Sequence, residues 1–205
     1  MDAHLRAGVA VYNAGHFHAA HDAWEDRWLA LERDTDDERF LHGLIQFTAA
    51  VHHCHRANWV GARGLAESAG EYLAGLPDAY RGVDVAAVRD YLAALAADPE
   101  SVERKPLFAL TVEGDALALD DLDLDATLVA AAVLADELDG FDEAVVEQAA
   151  SYARTDVDAG GGSRFVTLVF DFVREAERRP LVYERLRQHV ERRRARERDV
   201  EGLFE

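Results

Sequence analysis

Eight of the chain's nine histidines fall in its first 55 residues, six of them in His16-Phe17-His18-Ala19-Ala20-His21 and His52-His53-Cys54-His55. Histidine is the side chain best suited to metal ligation and to proton transfer near neutral pH. His21 and Glu25 stand four residues apart, so a helix through them makes them surface neighbours. Arg39, Gln46 and His53 recur at intervals of seven and share a helix face, with His42 beside them and the small residues Gly43 and Ala50 alongside. Facing one another across two helices, His21, Glu25 and His53 could hold a divalent metal, with Gln46 hydrogen-bonding behind them. Without metal, His21 and Glu25 are the catalytic candidates, His21 as general base, and Gln46, His53 and Arg39 are the candidates for binding a small polar ligand. A structural reading also stands, in which Glu25 orients His21 in a polar network that fixes helix packing while His53 and Gln46 face solvent. The set lacks the Glu-x-x-His pairs of di-iron bundles and the His-Glu-x-x-His helix of zinc proteases.

The elements that must position these residues are helical. Leu5, Val9 and Tyr12 predict a helix over about 2–13, stopped by Gly15, and Phe17, Ala20, Trp24, Trp28 and Leu31 predict a second over 16–33. After the polar break at 34–37, Phe40, Leu41, Leu44, Phe47 and Val51 predict a third to about 57. A fourth follows over 58–74. These helices, with short loops, make an antiparallel four-helix core over residues 1–77. Residues 78–205 read as a helical extension packed on it, with helices over 83–97, 125–138, 141–153, 165–175 and 181–199. Within the extension, alternation in Phe108-Leu110-Val112 and Leu117-Leu119 about Glu113-Gly114-Asp115 predicts a short β-hairpin at 107–119, and 155–164 reads as a flexible linker. Gly15-His16-Phe17 and Ala57-Asn58-Trp59 sit alike between two helices, which reads as a recurring helix-turn solution rather than a true repeat.

Composition limits the environment. Forty acidic against 22 basic residues give a net charge of −18, and Lys105 is the only lysine. Such an acidic, arginine-using surface suits a protein working in molar salt, where charge is screened within about 3 Å. Nucleic acid and anionic membranes are poor partners for it. The exception lies between Arg174 and Asp199, where ten arginines meet six acidic residues. That stretch reads as a charged helix with i,i+4 pairs that docks on the acidic body of the protein, on a second copy, or on a protein partner. Cys54 is alone, which leaves no disulfide within the chain and suits a reduced, cytoplasmic setting. It reads as a small core residue rather than a nucleophile. No apolar run reaches the ~20 residues of a membrane span.

Three ordered motifs carry a resemblance. Tyr12-Asn13-Ala14-Gly15-His16-Phe17-His18-Ala19-Ala20-His21-Asp22-Ala23-Trp24-Glu25, then Arg39-Phe40-Leu41-His42-Gly43-Leu44-Ile45-Gln46, then Arg56-Ala57-Asn58-Trp59-Val60-Gly61-Ala62 resemble domain of unknown function family 309, here of a halophilic archaeal type. The resemblance covers about residues 5–75 and implies a small helical protein whose motif falls on His21, Glu25, Gln46 and His53. Ala57 stands where that family usually has Gly. It implies no reaction. The expected fold is therefore all-α, a multihelical antiparallel bundle with a short hairpin. Its function lies between a small polar-ligand or metal site at helices two and three and a non-catalytic interaction module of helical-hairpin type.

Overall fold

A computed structural model describes residues 1–201. Its contacts divide the chain into two compact units, Met1–Leu122 and Asp123–Glu205. The first runs α1 (Asp2–Asn13), α2 (Phe17–Trp28), α3 (Asp36–His55), α4 (Trp59–Leu73), β1 (Ala79–Tyr80), β2 (Val83–Asp84), α5 (Val85–Ala97), a 3-10 turn, β3 (Thr111–Val112), β4 (Asp115–Ala116) and a second 3-10 turn. The second contains α6 (Leu124–Glu137), α7 (Glu143–Asp158), α8 (Arg164–Arg174) and α9 (Arg179–Glu201). The all-α expectation holds, and among the described residues no helix is long and apolar enough to cross a membrane.

In the first unit α1–α4 pack in sequence as helical hairpins around Tyr12, Trp24, Phe40, Phe47 and Leu73, all fully buried. Tyr12 is wedged between Phe17 and Phe47, with ring centroids 5.5 and 5.0 Å away. Helix α2 is shorter than its apolar stripe predicts. The chain turns after Trp28, Asp34 takes a positive φ of 63°, and the Thr35 hydroxyl accepts from the Glu38 N–H to start α3. A capping side chain and a left-handed residue thus override the Trp28/Leu31 periodicity.

The unit does not end at Pro77. Arg89 of α5 donates to the carbonyl oxygens of Leu73 and Leu76, at 3.2 and 2.9 Å, and binds the next segment to the end of α4. The predicted hairpin is present but short, with strands of two residues each. It joins a β1–β2 hairpin that sequence did not suggest, giving an antiparallel sheet of order β1-β2-β3-β4. Both hairpins turn on two residues of positive φ, Arg81-Gly82 (52°, 81°) and Glu113-Gly114 (56°, 91°), the combination whose twist suits a two-residue loop. Asn13 ties α1 to this region. Its amide donates to Leu110 O and Leu117 O, and its Oδ1 accepts from Leu110 N at 2.9 Å.

In the second unit α6–α9 pack around Leu134, Val146, Phe172, Leu186 and Val190. Helix α7 continues through Asp158, so the loop to α8 is 159–163. Pro180 sits in the first turn of α9, where its missing N–H is no loss.

Candidate functional site

Helix α2 is capped at its start by the chain reversal at Gly15-His16, and its buried side is Ala19, Ala20, Ala23 and Trp24. The opposite edge carries His18, His21, Asp22 and Glu25 at i, i+3, i+4 and i+7, one stripe on a helix. His21, Asp22 and Glu25 each offer a ligand atom within 4.8 Å of the others. Among the described residues they are the one such group of three.

Asp22 is the centre of the cluster. Its Oδ1 accepts from His21 Nδ1 at 3.0 Å, and its Oδ2 lies 2.9 Å from His18 Nδ1. His21 and Asp22 are 29% and 24% exposed whereas His18 is 63% exposed, so the contacts with His18 are those most screened by water. The hydrogen bond to Asp22 holds the His21 imidazole above its ordinary pKa; burial opposes this, and the charges of Asp22 and Glu25 add to it. For Asp22, burial acts upward, but the hydrogen bond from His21 and the neighbouring histidine charges outweigh it and keep the carboxyl below its usual range.

The structure therefore brings together two of the expected residues, His21 and Glu25, and adds Asp22. His53 lies outside the group. Its Nδ1 is 2.6 Å from Asn58 Nδ2 at the α3–α4 turn, packed so closely that a Cβ on Gly61 would come within 2.8 Å of it. Arg39 is half exposed and donates to Asp36 Oδ1 at 2.5 Å, one turn back on its own helix. Gln46 is half-buried on α3. Cys54 is buried and its thiol is pushed up to about 11 by that burial, as a core cysteine should be. Asp22 could have been found in the sequence, being four residues after His18 and three before Glu25.

A second polar constellation lies where α2, α3 and α4 meet. Trp28 Nε1 donates to Glu38 Oε1 at 2.8 Å, His42 Nδ1 lies 3.6 Å from the same oxygen, and the His42 ring is stacked on Tyr72 at 3.9 Å. With Arg33 and Asp34 these residues line a cleft of about 440 Å³. The Glu38/His42 spacing was readable as a helical pair. The partnership with Trp28 across the α2–α3 turn was not.

Fold and site together define a protein of stacked helical hairpins with a histidine–carboxylate edge on its second helix. Residues 5–65 match the model of the family described as Domain of unknown function (DUF309), a stretch that spans most of α1, all of α2 and α3, and the start of α4. A protein described as uncharacterized, from Aquifex aeolicus (strain VF5), is 27% identical over 88 residues. The aligned part is 43% of this chain and 26% of that relative, so the chain spans about a quarter of the relative's length.

Proposed function

We propose that the first unit is a divalent-metal-binding bundle whose site is the α2 edge, with His21, Asp22 and Glu25 as ligands. The observation that carries this reading is the convergence of one imidazole and two carboxylates within 4.8 Å. Bonds of about 2.0–2.2 Å in a tetrahedral shell set ligand atoms roughly 3.4 Å apart, so binding would require rotation of the Glu25 and His21 side chains to draw the group in from 4.8 Å. Nitrogen with carboxylate oxygen suits zinc and its neighbours better than calcium or magnesium. Three protein ligands leave a position for water or for a small polar ligand, as in catalytic rather than structural zinc sites, so the reaction class this donor set fits is metal-assisted hydrolysis. The site is built on α2 alone rather than across α2 and α3, because His53 is engaged by Asn58.

The test is elemental analysis and calorimetric zinc titration of the untagged protein beside His21→Ala and Asp22→Asn, in molar KCl to suit the acidic composition. One equivalent of metal in the wild type, lost in His21→Ala while circular dichroism stays native, is the expected result. No stoichiometric binding in the wild type sinks the reading.

A further inference from the structure

The second unit contains a cationic cleft that is out of character with the chain's net charge of −18. It lies between the end of α7, the 159–163 loop, the start of α8 and one face of α9, and encloses about 770 Å³. His189, Arg192, Arg193 and Arg196 line it from α9 at i, i+3, i+4 and i+7, and Arg164, the first residue of α8, lines it from the other side. The loop is held in place. Ser163 Oγ accepts from Phe165 N as the α8 cap, and the same hydroxyl donates to Asp156 Oδ2 at 2.7 Å.

The arginines divide by role. Arg193 is structural: it donates to Asp156 Oδ1 at 2.6 Å and to Glu197 Oε1 at 3.2 Å, and its guanidinium sits 4.1 Å over the Tyr152 ring. The cleft's two carboxylates are thereby engaged, Glu197 also by the Tyr152 hydroxyl at 2.6 Å. Among the described residues, Arg164, Arg192 and Arg196 have no carboxylate partner; Arg192 donates to the neutral Gln188 at 3.2 Å. Four arginines against two carboxylates leave two positive charges. Burial, and then the charges of Arg192, Arg164 and Arg196, keep His189 below its ordinary pKa, so these three cations bear on one imidazole. Like charges crowded on one helix face are unfavourable unless something neutralises them, and this chain had 40 acidic residues from which to supply a partner.

We propose that this cleft binds a small phosphate-bearing anion of the monoester or diphosphate class, with Arg164, Arg192 and Arg196 forking onto phosphate oxygens and His189 hydrogen-bonding beside them. Guanidinium geometry matches phosphate oxygens two at a time, and the N-terminus of the eleven-residue α8 adds its positive end to the same side. The volume is that of a small-molecule site. The cations line a single cleft instead of forming the extended track that a nucleic-acid backbone needs, and the acidic remainder of the chain opposes a long polyanion.

The test is calorimetric titration of the full chain, in the lowest KCl that keeps its dichroism native, with inorganic phosphate, pyrophosphate, ADP and a short single-stranded DNA oligonucleotide. Saturable one-to-one binding of pyrophosphate or ADP is expected, weakened at least tenfold in Arg192→Gln/Arg196→Gln and in Arg164→Gln. It should be unchanged in Arg63→Gln, an exposed arginine of α4 outside the cleft. All these positions are exposed, and dichroism reports whether each variant folds. Absence of saturable binding by the three phosphates, equal weakening in Arg63→Gln, or binding of the oligonucleotide alone overturns the proposal.

Discussion

Gly15 and Ala57, 42 residues apart, close their helices in the same way. Gly15 N–H donates to Tyr12 O and His16 N–H to Val11 O, at 2.8 and 3.1 Å; Ala57 N–H donates to Cys54 O and Asn58 N–H to His53 O, both at 2.9 Å. Each is the paired 5→2 and 6→1 closure that satisfies the last carbonyls of a helix, and each places its central residue at positive φ, 90° for Gly15 and 54° for Ala57. The echo between the two junctions is thus a shared way of ending one helix and starting the next. His16 and Asn58 follow as the N-terminal caps of α2 and α4.

Ala57→Gly should stabilise the protein. An alanine in the left-handed region costs about 1–2 kcal/mol relative to the right-handed one, and glycine largely escapes that penalty while giving up some backbone entropy. The net gain expected is about 0.5–1 kcal/mol, read as a higher urea midpoint with an unchanged slope. Gly15→Ala, placed in the reverse sense at the sister junction, should lower the midpoint by a similar amount. The added Cβ meets nothing within 4 Å, so the change isolates backbone strain.

Gly8→Ala should destabilise despite improving helix propensity. Alanine gains up to about 1 kcal/mol over glycine in a helix interior. A Cβ at Gly8, however, would come within 2.1 Å of Trp24 Nε1 and 2.4 Å of Cε2, and that ring is rigid and fully buried. Overpacking of this kind costs about 1–3 kcal/mol and has to displace the indole from the α1–α2 contact. A loss of roughly 2 kcal/mol in urea unfolding, with altered tryptophan fluorescence in the native state, is the expected outcome. An unchanged or raised midpoint would mean that α1 and α2 separate more freely than their packing implies.

What could be read in advance depended on how local the cause was. The limits of α1, α3 and α4 follow from apolar periodicity and from Gly15, Asp34-Thr35 and Pro77, all within a few residues of the ends they set. The β1–β2 hairpin escaped because its strands, Ala79–Tyr80 and Val83–Asp84, are too short to show the alternation that marked the hairpin about Glu113-Gly114. The strands gain their remaining partner only from β3, some thirty residues on. In the candidate site, His21 and Glu25 were legible as a helical pair. Placing His53 opposite them required knowing that Asn58, five residues later, would turn back onto it. The arginines of α9 were visible as a charge run, but that three of them would face Arg164 depends on how α8 and α9 pack.

Asp37 and Arg81 make the contact between the start of α3 and the first hairpin. Arg81 Nε donates to Oδ1 at 2.8 Å and its terminal nitrogen to Oδ2 at 2.5 Å, while the Tyr80 hydroxyl donates to Oδ1 at 2.7 Å. The hydrogen bond from Arg81 chiefly, against the opposing effect of burial, holds the Asp37 carboxyl below its ordinary 3.8. A carboxyl lowered in the folded state contributes stability above its unfolded pKa and loses it as pH falls through the folded one. Asp37→Asn should therefore cost about 1 kcal/mol at pH 7, the upper range for a partly exposed bidentate pair, and the difference from wild type should fade below pH 3.8. Urea unfolding of both proteins at pH 7, 5 and 3 checks this. A difference that persists undiminished at the lowest pH would place the effect in packing.

Among the described residues of the second unit, Arg179 is the buried cation. Only 6% exposed, it donates from Nε to Phe172 O at 2.8 Å and from a terminal nitrogen to Val173 O at 3.2 Å, so the first residue of α9 closes the last turn of α8. Its guanidinium also lies 5.7 Å over the Phe172 ring. Burial lowers the Arg179 pKa, and its position at the C-terminal end of α8 sets the guanidinium against the negative end of that helix. Arg179→Met keeps the length of the stem but removes both donors and leaves two carbonyls with lost partners, a change expected to cost about 2–4 kcal/mol at 1–3 kcal/mol per buried unsatisfied group, less some relaxation toward water. Arg179→Lys should recover only part, since one ammonium lacks the planar fork that spans two successive carbonyls. Hydrogen exchange resolves where the loss falls. Protection should drop first in the amides of the α8 C-terminal turn and the first turn of α9, while those of α1–α4 keep wild-type rates. Uniform loss over the whole chain would mean that the α8–α9 closure is not a local element of the second unit.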